Sequence, residues 1–137
     1  MRSRAITVSD AGEFGLIARV TAGLESAPST LLGPGDDAAV VAAPDGRVVV
    51  STDLLVEGRH FRRDWSAAED VGHKAAARAF SDIAAMGAVP TALLVGFAAP
   101  AALELTWVDG LMAGLREECA QVDAAIVGGD ARRRPRG

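Results

Sequence analysis

The sequence predicts an α+β domain, with a mixed or antiparallel sheet and helices packed on one face of it. Three observations carry that expectation. Half of the 137 residues are hydrophobic, enough for one buried core in a chain of this length. These apolar residues are largely Ala, Val and Leu, with no Tyr, and they suit Ala-rich helices lying on a Val-rich sheet. Short apolar runs bounded by Gly and Pro also alternate with two long stretches of helical spacing, at residues 66–86 and 101–122.

In chain order, residues 12–21 set Phe14, Leu16, Ile17 and Val20 on one face of a short helix, with Asp10 placed to cap it. A small and polar stretch leads to Gly33-Pro34-Gly35-Asp36-Asp37. Residues 38–42 read as a strand stopped by Pro44-Asp45-Gly46, and residues 47–52 as its hairpin partner. Residues 66–86 form the longest predicted helix, with Ser66 as cap, Glu69 as capping-box partner and Gly87 as its end. Residues 91–97 read as a buried strand between Pro90 and Pro100. A second long helix covers residues 101–122, where Leu103, Trp107, Leu111 and Leu115 recur four apart. Residues 124–127 make a last short strand running into Gly128-Gly129-Asp130. No internal repeat or linker divides the chain.

Composition narrows the function. A formal charge of −4 speaks against a nucleic-acid binder, which needs clustered Lys and Arg for phosphate. Arg132, Arg133, Arg134 and Arg136 gather at the end, so the preceding body is more acidic still. Carboxylates around a cation would explain that acidity; a solvated acidic surface explains it more plainly. The single cysteine, Cys119, has no partner for an internal disulfide, which fits a reducing compartment. It falls in the second helix pattern without a nearby His and reads as a structural thiol. With no apolar run of membrane-spanning length and no signal-like start, the expected location is cytoplasmic and away from membranes.

Several familiar chemistries are excluded. Gly33-Pro34-Gly35-Asp36-Asp37-Ala38 fits the loose G-x-G-x-x-G/A pattern, yet a predicted strand follows it, whereas that fingerprint must open a helix. The chain has no G-x-x-x-x-G-K-[ST] loop, no Cys/His zinc spacing and no G-x-S-x-G elbow.

What remains is a recurring local pattern of acids behind small or hydroxylated residues: Gly35-Asp36-Asp37, Ser51-Thr52-Asp53, Ser81-Asp82 and Gly128-Gly129-Asp130. Asp53 and Asp130 are predicted at strand ends. Asp82 is predicted inside a helix, on the stripe of Val71, Ala75 and Ala79, where a lone buried carboxylate would cost several kcal/mol. A divalent cation such as Mg²⁺ would remove that cost, and neighbouring glycines would let backbone approach phosphate. Aspartates also serve as helix caps and turn residues, and the spacing alone leaves both readings open. His60, in Val56-Glu57-Gly58-Arg59-His60-Phe61, reads as a surface loop histidine, and His73 as a solvent-facing or capping residue.

In order along the chain, Glu13-Phe14-Gly15-Leu16-Ile17, Gly33 to Ala38, Ser51-Thr52-Asp53-Leu54-Leu55-Val56, His60-Phe61, Lys74-Ala75, Ser81-Asp82-Ile83-Ala84-Ala85-Met86-Gly87-Ala88 and Gly128-Gly129-Asp130 resemble the thiamine-monophosphate kinases. This family sits in a superfamily with aminoimidazole ribonucleotide synthetase, selenophosphate synthetase and a hydrogenase-maturation factor. The resemblance implies an α+β amino-terminal domain that dimerises through its sheet. It implies transfer of the γ-phosphoryl of ATP to thiamine monophosphate, giving thiamine diphosphate with the help of Mg²⁺ and without a covalent nucleophile. By motif it marks Asp37, Ser51, Thr52, Asp53, Asp82 and Asp130 as metal ligands around the ATP phosphates. It also sets Gly129 and Asp130 beside the nucleotide, and His60 against thiamine monophosphate.

Two departures stand out. Ala79 occupies a position where the family carries Asn. The family also continues past Gly-Gly-Asp into a second domain, whereas this sequence gives residues 1–131 as a metal- and ATP-binding domain and residues 132–137 as a basic tail. The carboxy-terminal domain is therefore expected to be absent, and the chain to be the metal- and nucleotide-binding half of the enzyme. A non-catalytic dimerising or nucleotide-binding module, or another ATP-using member of the superfamily, is the alternative.

Overall fold

The structure is a computed structural model describing residues 3–134. Its first element, α1 (Val8–Thr21), begins before the apolar periodicity does because Thr7 nucleates it. The Thr7 hydroxyl accepts the Asp10 N–H at 3.3 Å, while the Asp10 carboxylate accepts the Thr7 N–H at 2.9 Å and its hydroxyl at 2.7 Å. Asp10 is thus the reciprocal partner in a capping box and not the cap itself, a correction to the sequence expectation. These bonds hold the Asp10 carboxyl below its ordinary pKa. Gly12, at φ +69°, kinks the helix. Leu16 is buried, but Phe14 is 87% exposed, against the expectation of one shared face. Two residues apart at about 100° each, they point to opposite sides of the helix.

Two small sheets follow. β1 (Thr30–Leu32) pairs antiparallel with β2 (Val40–Val41). The predicted hairpin between residues 38–42 and 47–52 does not form. Its turn is present, with Gly46 N–H donating to the Ala43 carbonyl at 2.9 Å and the Asp45 carboxylate accepting the Arg47 N–H at 3.3 Å. Residues 47–52 nonetheless run without a strand partner among the described residues, and β2 turns to β1 instead. Val48 and Val50 are 64% and 82% exposed. With no apolar surface beneath them, a two-stranded ladder is marginal.

The second sheet is parallel. β3 (Ala92–Ala99) and β4 (Ala125–Arg133) are joined by the crossover helix α3 (Leu105–Gln121), as parallel strands require. β3 was expected to be buried; it alternates instead, with Leu93, Val95 and Phe97 packed on the core and Leu94 exposed. β4 is longer than the predicted 124–127, so Gly128-Gly129-Asp130 lies within the strand and not beyond it. The residue-131 boundary therefore falls inside β4, while Pro135, Arg136 and Gly137 of the predicted tail lie outside the described residues. Register slips where Leu93 faces Ile126 but Leu94 faces Gly128, leaving Val127 bulged. Beyond the bulge Gly129 adopts φ +145°, and a Cβ there would run into the Val95 carbonyl oxygen. Only glycine fits.

α2 (Ala68–Ala85) begins two residues after the predicted start, with the Asp70 carboxylate accepting the Ala67 N–H at 3.3 Å. Ser66 is occupied in the preceding turn, donating its N–H to the Arg62 carbonyl at 3.0 Å. The helix stops where expected. Gly87, at φ +75°, donates to Ala84 at 2.9 Å and Ala88 donates to Ile83 at 3.3 Å, the two bonds of a Schellman end. α3 likewise starts later than predicted, after a turn in which Leu103 N–H donates to Pro100 at 3.1 Å.

α2 and α3 meet along a seam of small residues. Gly72 of α2 lies against the backbone of Leu111, Gly114 and Leu115, and Gly114 of α3 against that of Glu69 and His73. Val71, Phe80, Val108, Leu111, Leu115 and Ile126 share one buried cluster with Leu16 of α1. Arg19 adds a bidentate pair to Asp109 at 2.7 and 2.6 Å, tying α1 to α3. That bond holds the Asp109 carboxyl below its usual range. Among the described residues no helix is long and apolar enough to cross a membrane.

Candidate functional site

The loop carrying His60 is the most constructed part of the surface. Gly58 turns the chain at φ +83°, and its N–H donates to the Phe61 carbonyl at 2.8 Å. Arg59 and His60 both donate backbone N–H groups to the Val56 carbonyl, at 3.1 and 2.8 Å. The His60 ring closes the turn by accepting the Val56 N–H on Nδ1 at 2.9 Å. In the neutral ring this leaves the proton on Nε2, free to donate outward. From α2, Lys74 Nζ donates to the His60 carbonyl. Phe61 stacks on Trp107 of α3 with ring centroids 6.1 Å apart. The loop is therefore anchored to both helices.

Beside it opens a hollow of about 430 Å³ lined by Arg59, His60, Phe61, Arg62, Trp65, Asp70 and Lys74, among others. The Arg62 guanidinium lies over the Trp65 ring, 4.3 Å from its centroid, a cation–π arrangement. It also makes a bidentate bond to Asp64 at 3.0 and 2.6 Å, which lowers the Asp64 pKa. Three cations and two aromatic rings thus share one concavity with His60. Sequence reasoning singled out His60 but gave no role to Arg59, Arg62 or Trp65, and used Lys74 only as part of a motif. The available signal was the local density of Arg59, Arg62 and Arg63 in an otherwise acidic chain.

The aspartates behave differently. Asp37 is exposed in the Gly-rich loop, where its N–H donates to the Asp36 carboxylate at 2.8 Å. Ser51 and Thr52 are exposed in the unpaired segment. Asp53 stands there too, not at a strand end, and pairs with Arg78 of α2 through Nε at 3.0 Å and Nη2 at 3.3 Å. Asp82 lies on the exposed side of α2, not among apolar neighbours as expected, because the buried residue of the last turns is Phe80, which two residues away points to the opposite side of the helix. Asp130, inside β4, pairs with Arg132 at 3.0 Å; Arg132 also reaches Glu13 at 3.2 Å. Asp130 holds the Arg132 guanidinium above its ordinary pKa.

These oxygen donors are the right chemistry for Mg²⁺, but their placement is not a metal site. Among the described residues, no three His, Cys, Asp or Glu side chains stand close enough to share an ion. As arranged here, the aspartates do not fit the cation.

His73 lies in the interior of α2 and is no cap, and its side chain is half-buried, 32% exposed. It sits on the glycine seam, its Nδ1 3.0 Å from Glu118 and its Nε2 2.7 Å from Glu117. Bonds to Glu118 and then Glu117 raise its pKa. Cys119, on α3 beside the two glutamates, is buried, which pushes its thiol up to about 11, as expected for a structural cysteine.

The bulged β–α–β unit, glycine-locked strand and three packed helices define the class: residues 35–137 match the family described as AIR synthase related protein, N-terminal domain, and the chain belongs to that family. Its similarities point to one branch of it. It is 52% identical over 124 residues to the thiamine-monophosphate kinase of Mycobacterium tuberculosis and 47% over 126 residues to that of Corynebacterium glutamicum. Each match covers 90% of this chain and 37% of the relative. The crystal structure of thiamine-monophosphate kinase from Stenotrophomonas maltophilia superposes with a TM-score of 0.63 at 34% identity, over 88% of this chain and 36% of that one. The chain thus spans little more than a third of the length of the curated relatives it matches.

Proposed function

We propose that this chain is the substrate- and nucleotide-binding half of an ATP-dependent kinase that phosphorylates thiamine monophosphate to thiamine diphosphate in the cytoplasm. The observation that carries this is the hollow beside His60. Thiamine monophosphate combines an aromatic cationic ring system with a phosphate. Phe61 and Trp65 offer flat apolar faces for the rings, while Arg59, Arg62 and Lys74 offer donors for the phosphate. Such donors would also lower the charge on the acceptor phosphate, so that one phosphate oxygen can approach a second phosphoryl group. Phosphoryl transfer asks a protein mainly for this positioning and neutralisation. No covalent nucleophile is required.

ATP is the proposed donor, with Mg²⁺ accompanying it and Gly129 and Asp130 beside it. The proposed metal ligands remain Asp37, Ser51, Thr52, Asp53, Asp82 and Asp130. Residues 1–131 are proposed as the binding domain. Leu31 of β1 and Leu94 of β3, with Val48, Val50 and Leu54 of the neighbouring unpaired segment, are all more than 60% exposed and support a homodimer formed through the sheets, since lone chains rarely leave so much apolar surface uncovered.

The test is calorimetric titration of thiamine monophosphate into the chain, with His60→Ala and Lys74→Ala measured beside it. Binding should be saturable and should weaken about tenfold or more in each variant, the effect of losing a hydrogen bond to a charged group. Equal affinity in the parent and both variants would sink the assignment of this hollow.

A further inference from the structure

The two tryptophans of this chain are used differently. Trp107 stacks on Phe61 and packs against the core. Trp65 is 77% exposed, and the Arg62 guanidinium lies over its ring, 4.3 Å from the centroid. An aromatic side chain left this open buries little apolar surface, so it adds little to folding. The turn ahead of α2 nonetheless fixes the pair. The Arg62 carbonyl accepts the Trp65 and Ser66 N–H groups at 3.1 and 3.0 Å, which sets Arg62 and Trp65 side by side. Asp64 grips the guanidinium through both oxygens, at 3.0 and 2.6 Å, and Asp70 lines the hollow that Arg62 and Trp65 share.

The seated guanidinium describes the ligand that suits this ring. It is planar, its charge is delocalised, and it stays charged at any working pH. A thiazolium ring has the same three properties, because its nitrogen is quaternary and has no proton to lose. Tryptophan offers the best ring face among side chains for such a cation. The carboxylates of Asp64 and Asp70 favour positive charge beside it. Lys74, one turn beyond Asp70 on α2, remains for the phosphate.

We propose that the Trp65 face now covered by Arg62 is a seat for the planar cationic ring of the substrate, which enters by displacing the guanidinium. Trp65 is then a specificity-determining residue that selects a charged ring over a neutral one. This rests on the reading of the hollow as the substrate site, and it assigns one ring of that substrate to one side chain. A neutral ring would gain the apolar contact without replacing the Arg62–Trp65 attraction that it breaks.

The experiment is calorimetric titration of the full chain with three probes. Thiamine monophosphate has the cationic ring and the phosphate, thiamine has the ring alone, and thiochrome monophosphate has the phosphate on uncharged rings. The parent is compared with Trp65→Leu, Trp65→Phe, Arg62→Gln and Lys74→Ala, each shown to be folded by circular dichroism. Trp65→Leu should weaken thiamine monophosphate about five- to tenfold, with Trp65→Phe between, and should change thiochrome monophosphate less than about twofold. Arg62→Gln should tighten thiamine about two- to fivefold, since the seat is then empty and this probe has no phosphate for Arg62 to meet. Equal losses of both phosphorylated probes in Trp65→Leu would make Trp65 an apolar wall and overturn the seat. Thiamine bound no more tightly by Arg62→Gln overturns the displacement. Thiamine monophosphate that depends on Lys74 but ignores Trp65→Leu overturns the seat and leaves the hollow as the substrate site. Binding that ignores both residues, or no binding by the parent, overturns both.

Discussion

Replacing Gly72 by alanine should loosen the whole helical layer. A methyl built on Gly72 would run into the Leu111 carbonyl oxygen, with the Leu115 nitrogen at 2.9 Å and the Gly114 Cα at 3.1 Å. All three are backbone atoms, so no rotamer change relieves the contact and α2 must move away from α3. Overpacking of a core costs about 1–3 kcal/mol, and more where backbone has to shift. Alanine recovers about 1 kcal/mol of helix propensity over glycine. The net loss is about 2 kcal/mol, roughly a thirtyfold fall in the ratio of folded to unfolded chain. The assay is urea unfolding followed by far-UV circular dichroism. Gly15→Ala in α1 is the matched control, because its new methyl would meet only the Ala11 methyl, at 3.3 Å. That substitution should be neutral or slightly stabilising. If Gly72→Ala proved as stable as Gly15→Ala, the close helix seam would be wrong.

Two further predictions concern the same layer. His73 has a raised pKa, so the stability it contributes is fully present below its unfolded value of about 6.5 and is lost as pH rises through the higher folded value. Thermal melting between about pH 6 and pH 8 should therefore fall more steeply with pH in the parent than in His73→Gln; identical slopes would remove the two glutamates as the cause. Cys119, buried and with its thiol pushed up to about 11, should react with a disulfide reagent only at the rate of unfolding. Labelling of the native chain as fast as a free thiol would show the site to be open.

Much of the fold was legible in the sequence, because periodicity and turn chemistry are local. Leu103, Trp107, Leu111 and Leu115 recur at the helical interval and pack on or within the core. Gly87 ends α2 because it alone takes positive φ at no cost, and the sequence places it there. The acidic motifs and His60 were visible for the same reason, as patterns of neighbouring residues.

What only the tertiary structure decided was which partner each element found. The Val48–Val50 run has the composition of a strand, yet it forms none, because a strand exists only where another edge and a covering surface meet it. Gly128-Gly129-Asp130 was expected beyond a strand but lies inside one, since the bulge at Val127 lets Gly129 pass the Val95 carbonyl. Asp82 was placed among apolar residues by a helical wheel, but burial depends on what packs against that turn, and among the described residues it stays exposed. Phe14 was lost from the core by the same logic. Sequence spacing determines which side chains share a face of one element; it carries no information on distances between elements. The Arg78–Asp53 pair, the glycine seam and the approach of Lys74 to the His60 loop are all distances of that second kind.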